Sequence, residues 1–225
     1  MAERYLYIPI MGFCGVIGML IQNCISGKNL ATIGFVVIII IASITSIYRN
    51  GIWRDEFTLW YSTVNREPGS VRAHLNLGVV HNAKGFYDYA ELEYKKTLEI
   101  NPRDIEAHYN MGNVYERKGM LDAAIKEYHE TLRYNPVHAD TYNNLGSIYK
   151  NKHLFDRAIE FYKKAKQCNP FNLHYYNNLG LVYRENRLYA EALMEYKRAI
   201  ELDPDNLDAH NNLGIVYVGM ERIND

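Results

Sequence analysis

Residues 139–172, ADTYNNLGSIYKNKHLFDRAIEFYKKAKQCNPFN, decide the fold, because their pattern of small, aromatic and proline residues returns on both sides at a fixed step. Gly78, Gly112, Gly146, Gly180 and Gly214 follow one another at intervals of 34 residues, and Pro102, Pro136, Pro170 and Pro204 keep the same interval. Self-similarity at this period marks a stack of small units, none of which can bury its apolar face alone. With Val71 as position one, position seven reads Leu77, Met111, Leu145, Leu179, Leu213, and position eleven His81, Tyr115, Tyr149, Tyr183, Tyr217. Position twenty is Ala90, Ala124, Ala158, Ala192, and position twenty-four Tyr94, Tyr128, Tyr162, Tyr196. Glycine at position eight and alanine at position twenty suit two helices that cross closely, with the aromatics filling the remaining space.

The resulting signature, L-G-x2-Y, then A-x3-aromatic, then Pro, resembles the tetratricopeptide repeat family over residues 71–225. The repeats run 71–104, 105–138, 139–172 and 173–206, with a partial fifth over 207–225. The resemblance implies antiparallel helix pairs stacked as a right-handed α-solenoid, whose concave groove binds protein segments. Two positions depart from the family pattern. The usual Trp of position four is His74, His108, Tyr142, Tyr176 and His210, and position twenty-seven is Thr97, Thr131, Ala165 and Ala199. Ser70, Asp104, Asn172 and Asn206 are placed to cap the first helices, and Asp88, Asp122 and Asp156 the second, with Gly85 and Gly119 in the turns between.

The amino-terminal part differs in composition. Residues 1–49 carry only Glu3, Arg4, Lys28 and Arg49 as charges, whereas 71–225 carry 20 basic and 22 acidic side chains. Tyr5 to Gly27 and Asn29 to Tyr48 are uncharged runs long enough to span a bilayer core of about 30 Å. The expected fold class is therefore all-α, with a transmembrane helical hairpin over 1–50 ahead of the solenoid. A secretory signal peptide is the rival for the first run. Gly12, Gly15 and Gly18 form a small-residue ridge suited to further membrane helices, against plain lipid exposure. Residues 51–70 form a junction in which Pro68 sits 34 before Pro102 and Trp60 falls on position twenty-four. This reads as the second helix of a degenerate repeat, with an interfacial helix as the rival. After Gly214 the fifth repeat lacks its second helix, so both ends read as cut and the chain as part of a larger protein.

A formal net charge of −1 excludes the basic stripe that nucleic-acid binding requires. Cys14, Cys24 and Cys168 make neither a disulfide framework nor a CxxC site. No phosphate-binding loop, H-E-x-x-H or G-x-S-x-G motif occurs, so no catalytic residue, cofactor or metal is assigned. The recurrent histidines of position four read as packing residues. One polar series exceeds the needs of the fold. Asn76, Asn110, Asn144, Asn178 and Asn212 occupy position six, joined at position five by Asn143, Asn177 and Asn211. Asparagine is a mediocre helix former, and its amide offers one acceptor and two donors that match a peptide group. The series resembles the asparagine ladder of O-GlcNAc transferase, which implies a clamp for extended peptides. Bonding only to neighbouring repeats is the rival.

Glu3, Arg4, Tyr5, the Pro9 to Phe13 stretch, Arg49, Trp53, Arg54, Asp55, Glu56 and Pro68 resemble the last membrane helices and junction of the transmembrane and tetratricopeptide repeat O-mannosyltransferases and their bacterial relatives. That resemblance implies a multi-pass enzyme with a lipid-linked sugar donor and catalytic acids in a loop that has no counterpart before Met1. The expected function is a membrane-anchored module that binds extended peptides in its groove. The alternative is the substrate-recognition part of such a glycosyltransferase. Arg4, Arg49 and Arg54 against Lys28 place the repeats in the cytoplasm, whereas the resemblance places them on the lumenal or periplasmic side, which is the preferred expectation.

Overall fold

The structure is a computed structural model in which residues 37–38, 40–42 and 55–224 are described, and it divides into two compact units, 1–73 and 74–225. The expected transmembrane hairpin, and the integral-membrane placement drawn from it, are corrected. Among the described residues no helix is long and apolar enough to cross a membrane. Of residues 1–50 only Val37, Ile38 and Ile40 to Ala42 are described, as helix; the rest of that expectation, including the glycine ridge and Lys28, lies outside the described residues. The expectation rests on the length and hydropathy of the two runs alone, which meet only the length requirement of a span.

In the first unit, α1 (Glu56–Arg66) starts at Asp55, whose Oδ1 accepts the Phe57 N–H at 3.3 Å. Phe57 and Tyr61 stack one turn apart with centroids at 5.6 Å, and the Arg72 guanidinium lies 5.9 Å over the Trp60 ring.

The second unit is built from helix pairs. Helix α2 (Val71–Ala83) begins in the first unit and ends in the second, and is followed by α3 (Tyr87–Ile100), α4 (Ile105–Arg117), α5 (Leu121–Tyr134), α6 (Ala139–Asn151), α7 (Phe155–Cys168), α8 (Leu173–Glu185), α9 (Tyr189–Leu202) and α10 (Leu207–Asn224). Ala90, Ala124, Ala158 and Ala192 are fully buried, as are Tyr94, Tyr128 and Tyr196, with Tyr162 almost so. A Cβ on Gly78 or Gly112 would lie 2.5 Å from the ring of Tyr94 or Tyr128, and on Gly146 or Gly180 within 2.9 Å of the ring of Tyr162 or Tyr196. In these four pairs the first helix is therefore seated on the aromatic ring of its own second helix, and only glycine fits at the contact. Each second helix stops at Asn101, Asn135, Asn169 or Asp203, held extended because a proline follows.

Capping of the first helices follows the expected scheme, and that of the second helices does not. First helices are capped by Ser70, Asp104, Asn172 and Asn206, and His138 takes the same place in repeat three, its Nδ1 accepting the Thr141 N–H at 3.3 Å. Second helices start at Phe86, Met120, Leu154 and Leu188, which make no side-chain cap bond. Asp88, Asp122 and Asp156 lie inside the first turn instead, where a negative charge suits the helix dipole. Two of them serve the joint between repeats, since Lys118 donates to Asp88 and Lys152 to Asp122, both at 2.8 Å. Lys118 also reaches Glu91 at 2.7 Å. Burial alone would raise the Glu91 carboxyl, but bonds from Lys118 and Lys95 outweigh it and hold it near a pKa of about 2.

Between the helices of a pair, the N–H groups of Phe86, Met120, Leu154 and Leu188 close onto His81, Tyr115, Tyr149 and Tyr183 carbonyls at 2.8 to 2.9 Å. This closure needs a left-handed residue just before them. Gly85 and Gly119 provide it in repeats one and two, but His153 (φ 57°) and Arg187 (φ 59°) are forced into it in repeats three and four. His153→Gly and Arg187→Gly are each expected to stabilise the chain by about 0.5–1 kcal/mol, because the side chain's steric penalty exceeds glycine's entropy cost there. Thermal unfolding of the two variants against the parent checks this, and lower midpoints would refute it.

Candidate functional site

First helices of neighbouring repeats touch directly, α6 against α8 and α8 against α10, so their positions five, six, nine and twelve share one face. The expected ladder asparagines lie there, and the structure divides them into two kinds. Asn144 Nδ2 donates to Asn113 Oδ1 at 2.9 Å and to the Tyr128 hydroxyl at 3.2 Å. Asn178 Nδ2 donates to Asn143 Oδ1 at 2.8 Å, and Asn212 Oδ1 accepts from Arg184 Nη1 at 3.0 Å. These amides join one repeat to the next. Asn76 is half-buried and engaged as well. By contrast, half-buried Asn110 and exposed Asn211 make no side-chain hydrogen bond among the described residues. Asn177 falls between the two kinds. Its Nδ2 makes a long bond of 3.4 Å to Asn206, while its Oδ1 is buried with no partner.

Beneath this face lies a second polar row that the sequence reading passed over. The position-twenty-four tyrosines send their hydroxyls toward positions nine and twelve of their own first helix. Tyr128 donates to Asn113 at 2.7 Å and to Glu116 at 2.9 Å, and Tyr162 bonds to Ser147. The hydroxyls of Tyr94 and Tyr196 are buried with no partner, and Asn82 Oδ1 in repeat one is orphaned too. Position nine decides the difference, being Asn113 and Ser147 where the hydroxyl is paired and Val79 and Leu181 where it is not. Burial pushes the phenols of Tyr94, Tyr128, Tyr162 and Tyr196 up, so all four are hydrogen-bond donors. Tyr128→Phe is expected to destabilise the chain by about 1–3 kcal/mol, leaving Glu116, Asn113 and Asn144 short of a partner, whereas Tyr94→Phe and Tyr196→Phe are neutral or slightly stabilising. Denaturant titrations of the three variants test the contrast, which equal losses would abolish.

Position four is polar for a structural reason, whether the side chain is buried, as in His74, His108 and Tyr176, half-buried, as in Tyr142, or exposed, as in His210. His108, Tyr142, Tyr176 and His210 each bond the carbonyl of the preceding repeat's proline, at 2.9 to 3.1 Å. His74 and His108 also bond Glu93 and Glu127, at 2.5 and 2.7 Å, on buried or nearly buried side chains. Among the described residues no group of three or more histidine, cysteine, aspartate or glutamate side chains gathers that could hold a metal. The site therefore offers amides, hydroxyls and two basic groups, Lys150 and Arg184, along one helix face, a chemistry of recognition.

Known proteins share this arrangement. Family models described as TPR repeat match residues 81–119 and 188–220, and models described as tetratricopeptide repeat match 105–136, 139–172 and 173–202. The chain is 33% identical over 94 residues to Protein O-mannosyl-transferase Tmtc2 of Drosophila melanogaster, covering 40% of this chain and 10% of that protein. It is 34% identical over 105 residues to Protein O-mannosyl-transferase tmtc2 of Xenopus laevis, covering 43% and 12%. The matched stretch thus spans only about a tenth of the length of these relatives. Among solved structures, MamA superposes with a TM-score of 0.61 at 28% identity, over 66% of this chain and 86% of that one. YrrB, described as a TPR protein with an unusual peptide-binding site, gives 0.61 at 22% identity over 72% and 84%. The repeat frame, the glycine-on-tyrosine seats and the matches to family and structures agree, and the chain belongs to the tetratricopeptide repeat family.

Proposed function

We propose that the repeat array is a protein-interaction module that binds extended peptide segments along its first-helix face, and that the uncommitted asparagines hold the peptide backbone. The observation that carries this reading is the division of the ladder. Asn110 and Asn211 present amide groups that the fold itself does not use, and such groups match the donor and acceptor of a peptide bond irrespective of its side chain. Asn143, Asn144 and Asn178 act at one remove, tying neighbouring repeats so that the face keeps its spacing, and Asn212 does so through its Oδ1 while its amide hydrogens stay available. Asn76 and Asn177 line the same face. The likeness to YrrB supports the fold, and its described peptide-binding site is a precedent for the use. At about 1 kcal/mol net for each backbone bond, the double variant Asn110→Ala, Asn211→Ala is expected to weaken binding by about tenfold or more with helicity unchanged. A fluorescence titration with a pool of unrelated extended peptides tests this, and unchanged affinity would remove the reading.

The similarity to the O-mannosyltransferases favours a second, compatible reading, in which the array presents acceptor polypeptides to sugar-transfer chemistry located elsewhere in a longer protein. Co-purification of the chain with unmodified acceptor segments, reduced by the same double variant, is the expected result.

A further inference from the structure

The chemistry of one subsite follows from comparing repeat four with repeat two, and it rests on the groove reading above. Tyr128 and Tyr196 hold the same register position and are both fully buried. Around the Tyr128 hydroxyl the chain supplies its own acceptors, Glu116 Oε2 at 2.9 Å and Asn113 Oδ1 at 2.7 Å, while Asn144 donates from the next repeat at 3.2 Å. The corresponding residues around Tyr196 are Arg184, Leu181 and Asn212. Both acceptors are lost in the exchange. Leucine offers none and a guanidinium carries donors only, while the amide oxygen of Asn212 already accepts from Arg184 Nη1 at 3.0 Å. What remains is the Tyr196 hydroxyl with no partner, the other N–H groups of Arg184 and the free amide hydrogens of Asn212. Repeat four thus carries three donor groups and a positive charge at the register positions around which repeat two places a carboxylate.

We propose that this face of repeats four and five takes a carboxylate, the side chain of an aspartate or glutamate in the bound peptide, on Arg184, Tyr196 and Asn212. The ligand thereby supplies the group that Glu116 supplies within repeat two. Lys150, at the same register position one repeat earlier, forms no ion pair among the described residues and adds to the attraction. The opposing charge is Glu185, next to Arg184 in sequence and exposed at the end of α8, and its charge also reaches the Tyr196 phenol. The Tyr196 oxygen is enclosed in this structure and feels the charge of Arg184, so a carboxylate bound by the guanidinium reaches the hydroxyl only as the Arg184 side chain shifts from Asn212. Burial raises the phenol to about 12, which keeps its proton available at neutral pH.

The test uses the full chain and two otherwise identical Ser/Ala peptides carrying one central Glu or one central Gln, with Arg184→Glu and Tyr196→Phe as variants. The parent is expected to bind the Glu peptide about tenfold more tightly than the Gln peptide, a preference that Arg184→Glu abolishes and Tyr196→Phe reduces. Arg184→Glu is also expected to melt above the parent, since it gives Tyr196 an internal acceptor. Independently of peptide binding, free glutarate raises the melting temperature of the parent but not of Arg184→Glu, and glutaramide raises neither. Equal affinity for the two peptides overturns the carboxylate subsite while leaving the groove reading in place. Failure of both peptides to bind, with the glutarate shift intact, overturns the groove reading and upholds the anion subsite. Absence of the glutarate shift together with absence of Glu preference ends the proposal, whatever the peptides do.

Discussion

Gly112→Ala is expected to destabilise the chain by roughly 1–3 kcal/mol, whereas the same change at Gly214 is expected to stabilise it by about 0.5–1 kcal/mol. In an isolated helix both substitutions are favourable, because alanine removes glycine's backbone entropy cost. At Gly112 the new methyl would lie 2.5 Å from the Tyr128 ring, which is fully buried and cannot withdraw, so the helix pair has to separate. At Gly214 nothing lies within 4 Å, since no described second helix covers α10 there. Two substitutions of one kind at one register position thus change sign according to whether a tyrosine sits opposite. Melting curves of the two variants check this, and a matching sign would mean that the aromatic seats do not hold the repeats together.

His108→Leu is expected to cost about 3–5 kcal/mol, because it strands the Glu127 carboxylate, largely buried and bonded to His108 Nδ1 at 2.7 Å. It also leaves the Pro102 carbonyl without its donor. Repeat three shows how to repair the loss. Its positions four and twenty-three are Tyr142 and Phe161, whose rings stack at 6.4 Å while the Tyr142 hydroxyl keeps the proline bond at 3.0 Å. The double variant His108→Tyr, Glu127→Phe is therefore expected to recover most of the stability, as replacement of a buried ion pair by well-packed apolar groups usually does. Guanidinium titrations of single and double variants measure this. A double variant as weak as the single one would show that the pair is needed for more than packing.

The repeat frame was legible because packing imposes it at invariant spacing: Gly78 must meet Tyr94, Gly112 must meet Tyr128, and the alanines between leave no room for other residues. The capping of second helices was not. An aspartate two residues after the turn has the composition of a cap, but the left-handed closure places Phe86, Met120, Leu154 and Leu188 at the boundary and turns Asp88 and Asp122 toward lysines thirty residues away. Such partners are invisible to local pattern. His138 was missed as a cap because histidine rarely fills that role. The membrane hairpin was read from apolar length alone, and the described helices do not uphold it.

The asparagine ladder was legible as a series, but not which members the fold consumes. That depends on Asn113, Tyr128 and Arg184, each from a different register position, converging on amides of the following repeat. The tyrosine hydroxyl row had a signal in the sequence after all, in the alternation of Val79, Asn113, Ser147 and Leu181 at position nine. Its meaning required knowing that the hydroxyl passes beneath the first helix.

Photo-crosslinking tests most directly the claim that peptides occupy the first-helix face. A photoreactive side chain placed at Ser147 or Leu181 of the full chain is expected to capture a peptide selected from the unrelated pool, while the same group at Lys126 or Glu160 on second helices captures none. Equal capture from the second helices, or capture from them alone, would contradict the account.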